Sequence, residues 1–262
     1  MSFFENTRKP VGLGGKIMVA MMNLGHSPVA RWGLRFLELT LDAKVLDCGC
    51  GGGANIKRLL KKCPEGIVKG IDYSPVSVEK SKKVNEAAIA EGRCTVLQGS
   101  VANMIFAGDW FDVVTAFETV YFWPDLPQCF REVYRVLKPG GTLLICNESN
   151  GDTDKDKKWT EIIGGMTIYK DAELKTYLEQ AGFHDVQIHK KEKLAVHHGA
   201  EMRGLNYEYL CIYLTQRIQA LRREKGVRLA GGCTAKGKLK SRTGIVAFLR
   251  PPTARHIMKR SR

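Results

Sequence analysis

The sequence has no long hydrophobic run. No stretch approaches the ~18 uncharged apolar residues that a membrane span needs. The first 24 residues carry Glu5, Arg8, Lys9 and Lys16 without a long apolar block, a poor signal peptide. No two cysteines form a C-x-x-C pair. The closest are Cys48 and Cys50, and no second close pair completes a zinc site. Eight cysteines scattered over 262 residues do not read as a secreted disulfide framework either. His184 and His189 stand apart from any carboxylate or cysteine pattern, so no metal site is expected. These absences predict a soluble, cytoplasmic chain with reduced thiols. At 44% hydrophobic and 26% charged residues, collagen-like, mucin-like and wholly disordered readings are excluded.

Acidic residues are scarce at the C-terminal end. Residues 194–262 hold 15 Lys and Arg against 3 Asp and Glu, so +12 of the formal net charge of +14 lies there. The first 193 residues are nearly neutral. A nucleic-acid partner is therefore implied only through the tail.

What the chain does contain is an alternation of strands and helices. Residues 1–15 read as loop, and Gly12–Lys16 lacks the spacing of a phosphate loop. Two amphipathic helices follow, one with Ile17, Ala20, Met21 and Leu24 inward, the other with Val29, Trp32, Gly33 and Phe36. Ser27 reads as the N-cap of the second. His26, at their junction, reads as a capping or solvent histidine. Strands are predicted at 44–48, 67–72, 94–97, 111–117, 142–147 and 183–189. Helices are predicted around Ile56–Cys63, at 75–91, around Phe130–Leu137 and from Asp171 to Gly182. Such alternation implies an α/β fold, a mostly parallel sheet with helices on both faces.

The turn after the first strand carries the chemistry. Asp47-Cys48-Gly49-Cys50-Gly51-Gly52-Gly53-Ala54 follows a strand and opens a helix. Glycine lets the backbone turn sharply and approach a ligand closely. Gly49-x-Gly51-x-x-Ala54 satisfies a dinucleotide fingerprint, with Asp72 on a ribose and an NAD(P)-dependent oxidoreductase as the outcome. The frame Asp47, Gly49, Gly51, Gly53 places a carboxylate in the turn instead. That suits a cation and repels a pyrophosphate, so it favours S-adenosylmethionine. Asp72, at the end of the second strand, can accept both ribose hydroxyls. Tyr73 can pack on an adenine, and Gln98-Gly99-Ser100 can meet its edge.

These residues resemble the class I S-adenosylmethionine-dependent methyltransferases, in the small-molecule branch with the UbiE/COQ5-like and methyltransferase-domain 11/25 enzymes. The resemblance spans residues 44–193. It rests on Val45–Gly53, Gly70-Ile71-Asp72-Tyr73-Ser74, Phe111-Asp112-Val113-Val114 and Arg135–Gly141. It implies a Rossmann-like seven-stranded sheet with an antiparallel last strand. It further implies Asp47, Gly49, Gly51 and Gly53 on the methionine portion, Asp72 on the ribose, Ser100 and Val101 around adenine, and Phe117 near the sulfonium. Where the family commonly has an acidic residue after the third strand, this chain has Ser100. The expected reaction is in-line methyl transfer to a small-molecule acceptor. Glu118, Tyr121 and Glu148, after the fourth and fifth strands, are the candidate catalytic residues.

Three segments result: a loop and lid helices at 1–43, a methyltransferase domain at 44–193, and a basic tail at 194–262. The last strand is expected directly after Lys193, where no match stands. The tail is then either a stretch read out of frame, or disordered, or an RNA-binding extension carrying Arg222, Arg223, Lys225, Arg228, Lys236, Lys238, Lys240 and Arg242. The last version makes the chain an RNA-binding protein or RNA methyltransferase. Residues 206–225 read as helical.

Overall fold

The computed structural model describes residues 5–152, 154–192 and 208–216. Its centre is a seven-stranded sheet of order β3-β2-β1-β4-β5-β7-β6. The strands are β1 (Lys44–Cys48), β2 (Ile67–Asp72), β3 (Cys94–Gln98), β4 (Phe111–Phe117), β5 (Leu137–Asn147), β6 (Phe183–Glu192) and β7 (Glu208–Gln216). β1 pairs in parallel with β2 on one side and β4 on the other. It is covered on both faces, so it reads as an apolar run. Val45 points into one core with Ile56, Leu59, Val68 and Val113. Leu46 points into the other with Phe130, Val133 and Leu143.

The helices fill the two faces. α4 (Ala54–Lys62) and α7 (Leu126–Val136) follow β1 and β4. Ile56, Leu59, Leu60 and Cys63 are buried, as their spacing predicts. α5 (Pro75–Val84) starts at Ser74, whose hydroxyl accepts from the Ser77 N–H at 3.3 Å. The helix expected over 75–91 breaks at Asn85, whose amide reaches the Gly53 and Ser81 carbonyls at 3.0 and 2.9 Å; α6 (Glu86–Ala90) then resumes.

The N-terminal reading needs two corrections. Residues 5–8 form α1 (Glu5–Arg8), and α2 (Gly12–Gly25) begins inside the expected loop. In α2 the buried residues are Gly15, Met18 and Val19, while Ile17, Met21 and Leu24 are 49%, 54% and 79% exposed. The expected inner face is the outer one. α3 (Ser27–Gly33) takes His26, not Ser27, as its N-cap. Ser27 instead accepts a hydrogen bond from Arg58 at 2.7 Å, which ties α3 to α4.

The boundary at residue 193 also moves. β7 runs antiparallel between β5 and β6, pairing Leu143 with Leu214 and Ile188 with Ile212. The residues as read, Glu-Tyr-Leu-Cys-Ile-Tyr-Leu-Thr-Gln, supply the missing last strand. An out-of-frame start at 193 loses its motive, and 208–216 is strand rather than helix. The rest of the basic tail lies outside the described residues. No helix among the described residues is long and apolar enough to cross a membrane.

Candidate functional site

The strand order reverses between β1 and β4, and the cleft opens over the carboxyl ends of these strands, where open α/β sheets bind ligands. Three adjoining cavities lie there. The first is floored by Gly49, Gly51, Asp72, Phe117 and Thr119. A second, of about 310 Å³, is lined by Asp72, Tyr73, Ser100 and Val101. A third, of about 290 Å³, is walled by Met18, Met21, Met22, Trp159, Ile163 and Met166, with Glu118, Tyr121 and Glu148 facing it. Gly49, Asp72, Tyr73 and Thr119 are shared by the first and second. His26, Met22 and Glu118 are shared by the first and third.

The glycine turn is closed on itself. The N–H groups of Gly49 and Cys50 donate to the Ile71 carbonyl at 2.8 and 3.1 Å, and that of Gly53 to the Cys50 carbonyl at 3.0 Å. The Gly51 N–H donates to the Asp72 carboxylate at 2.9 Å. A pyrophosphate binds such a turn through free N–H groups. Here four of them are already engaged, one by a carboxylate that would repel it. Asp72 also accepts from the Ser74 N–H at 2.9 Å. Each of its oxygens keeps a second lone pair for a ligand hydroxyl. Burial outweighs these bonds and raises its pKa.

Two of the predicted residues do not line these three cavities. Asp47 is 2% exposed and lines none of the three cavities. Its carboxyl accepts from the Thr115 hydroxyl at 2.8 Å within the sheet, and burial pushes its pKa up to about 7. Gly53, between the cavity-lining Gly52 and Ala54, caps α4 with a φ of 78°, and a Cβ built on it would meet Ser81 and Asn85. The sequence pattern places both residues in the turn, but their side of the turn faces the protein.

The other predicted residues do converge. Gly49, Gly51, Asp72, Tyr73, Ser100, Val101 and Phe117 each line at least one of the first two cavities. Tyr73 also donates its hydroxyl to the Arg8 carbonyl, and burial raises its pKa to about 12. Tyr121 is held at both ends of a hydrogen-bonded pair with Ser149, accepting from its N–H at 2.9 Å and donating to its carbonyl at 3.2 Å. Glu118 adopts a φ of 58°, a strained conformation for a side-chain-bearing residue. Its carboxylate accepts from the Glu148 N–H. Burial, then the charge of Glu148, drive its pKa well above the ordinary carboxylate value.

His26, read from the sequence as a capping or solvent histidine, does cap α3, but its place in the cleft was unforeseen. Its ring lines both the first and third cavities, and burial lowers its pKa to about 4, so it is a neutral lone-pair donor. One ligand atom each from His26, Glu118 and Glu148 lies within 4.8 Å of the others, close enough to share one cation. No local spacing signals this set, because these residues are 92 and 30 positions apart. Asn23, which donates to the Gly52 carbonyl at 3.2 Å, was also unforeseen.

Residues 46–145 match the family described as methyltransferase domain. Over this stretch the chain is similar to methyltransferase domains. It is 33% identical over 161 residues to cycloartenol-C-24-methyltransferase of Arabidopsis thaliana, covering 56% of this chain and 48% of that protein. It is 26% identical over 179 residues to the uncharacterized methyltransferase YdaC of Bacillus subtilis (strain 168), covering 68% of this chain and 90% of that one. The fold is similar to that of geranyl diphosphate C-methyltransferase from Streptomyces coelicolor A3(2), with a TM-score of 0.60 at 15% identity, over 72% of this chain and 76% of that one. The chain spans about a third to a half of the length of the plant and algal sterol relatives it matches. S-adenosylmethionine fits the methyltransferase domain on structural grounds. A Cβ built on Gly51 meets nothing within 4 Å, so this backbone edge is open, and the Asp72 carboxylate bonded beside it would repel a diphosphate.

Proposed function

We propose that the chain is an S-adenosylmethionine-dependent methyltransferase that transfers a methyl group to a small-molecule acceptor. The observation that carries this is the Gly51 N–H bonded to Asp72, which sets a phosphate-repelling carboxylate in the turn while leaving its lone pairs for a ribose. The bound cofactor supplies an electrophilic sulfonium methyl. Asp72 binds the ribose, Tyr73, Ser100 and Val101 enclose the adenine, and Gly49, Gly51 and Phe117 line the methionine end. Asp47 and Gly53 shape the turn from behind. Glu118, Tyr121 and Glu148 face the acceptor.

The protein's own contribution is positioning and exclusion of water. Phe122 and Met22 border both the donor and acceptor cavities, so one apolar wall serves both. The branch resembling UbiE/COQ5-like enzymes is retained as the finer reading, on the four motifs. The described cysteines are free and buried, which supports a reducing, cytoplasmic setting. Calorimetry with S-adenosylhomocysteine and with NADH tests the assignment. Heat from the first and none from the second is expected. The reverse would restore the oxidoreductase reading.

A further inference from the structure

Nine large apolar side chains stand exposed among the described residues, and five of them fall between Val11 and Leu24. Leu13 of α2 is 76% exposed, and Ile17, Met21 and Leu24 of the same helix are exposed with it. At ~100° per residue these four, with the exposed Ala20 among them, lie within an arc of about 100°. Gly15, Met18 and Val19 occupy the opposite side and are buried. The inner side of α2 is therefore packed on the protein, while an apolar stripe on its outer side is uncovered. Single exposed apolar residues need no explanation, but a stripe at helical spacing does. With 14 residues, α2 is too short to span a bilayer, which takes about 20.

Charge says what covers the stripe. From Asn6 to Leu37 the chain has no acidic residue, and it carries Arg8, Lys9, Lys16, Arg31 and Arg35. Lys9, Lys16, Arg31 and Arg35 are exposed. The elements that pack most on α2 add no net negative charge. α1 holds Glu5 and Arg8, α3 holds Arg31, and α5 holds Glu79 against Lys80, Lys82 and Lys83. A second copy of this face would set cations against cations, whereas an anionic surface attracts them. The acceptor cavity opens on the same side. Met21 and Gly25 line it and are themselves exposed. On its other wall, the lining residue Ile163 follows the exposed Ile162 at the end of α8 (Asp154–Ile162).

We infer that α2 lies on the surface of an anionic lipid bilayer, its outer stripe among the acyl chains and the basic residues of segment 6–37 drawn to the headgroups. One continuous apolar surface then runs from the bilayer over Met21 into the acceptor cavity. A lipid-soluble acceptor reaches the cavity along it without crossing water. That last step rests on the methyltransferase reading above; the docking does not. An acidic protein would match the cations equally well, but it would cover the cavity mouth at Met21. A bilayer leaves that mouth open to the molecules dissolved in it.

The test is vesicle flotation of the full chain without cofactor. The vesicles are phosphatidylcholine alone, or phosphatidylcholine with an equal part of phosphatidylglycerol. The chain should bind the second at least about tenfold more tightly than the first. A double variant, Leu13→Gln with Leu24→Gln, should bind the anionic vesicles at least about tenfold more weakly than the parent, because two leucines no longer leave water. Both leucines are exposed and line none of the three cavities, so melting temperature and adenosylhomocysteine affinity should match the parent. The variant also separates α2 from the basic tail, whose own attraction to anionic lipid would ignore Leu13 and Leu24. Equal binding by parent and variant, or no binding by either, overturns the inference. So does a dimer in light scattering that the variant dissolves, which would give the stripe to a second copy. None of these outcomes touches the methyltransferase reading, which the adenosylhomocysteine measurement decides by itself.

Discussion

Gly49 and Thr119 meet across the floor of the cleft, so closely that a Cβ built on Gly49 would overlap the threonine side chain. Gly49 also has a φ of 69°, where a side chain is disfavoured. Thr119 cannot step aside freely, because its hydroxyl accepts from the Trp123 indole at 3.2 Å. The variant Gly49→Ala should lose roughly 2–3 kcal/mol of stability from strain and overpacking together. Denaturant unfolding measures this, and a loss below about 0.5 kcal/mol would contradict the packing described.

Asp72→Ala should do two things at once. It removes the acceptor for ligand hydroxyls and leaves the Gly51 and Ser74 N–H groups without their partner. Adenosylhomocysteine affinity should fall roughly 10- to 100-fold, and stability by about 1–3 kcal/mol. Asp72→Asn keeps one acceptor oxygen and should be intermediate in both. Calorimetry and thermal melting separate the two effects.

Asp47 is a buried acid whose pKa rises from the ordinary 3.8 to about 7 on folding. The folded state therefore holds its proton more tightly than the unfolded state. Its contribution is fully present below the unfolded value and is lost as pH rises toward 7. Asp47→Asn, which can still accept from Thr115, should melt higher than the parent at pH 8. The difference should vanish near pH 4. A pH-independent difference would show that desolvation of the carboxylate is not the cause.

A chain ending at residue 193 lacks β7, the strand between β5 and β6. It should fail to unfold cooperatively, whereas a chain ending at residue 220 keeps all seven described strands and should show a single transition. Circular dichroism melts of the two compare them directly.

Legibility followed local pattern. β1, β2 and β4 were readable to their end residues because runs buried on both faces are apolar and bounded by turns. The inner face of α2 was not, because apolar residues at helical spacing lie on two sides of it. Val19 is fully buried and Met18 nearly so, while Met21 lines the acceptor cavity, a division set by what packs against the helix. β7 was missed because residues 193–207 separate it from β6, and no periodicity announces a partner that distance away.

The first six strands, the glycine turn and the acid at the end of β2 follow from the linear chain, because a strand's burial and a turn's φ requirement are written in neighbouring residues. That Asp47 turns away from the cleft, and that His26 joins Glu118 and Glu148 across 122 positions, was decided by packing alone. Side-chain direction and long-range convergence depend on which surfaces exclude water together, and no short stretch of sequence contains that information.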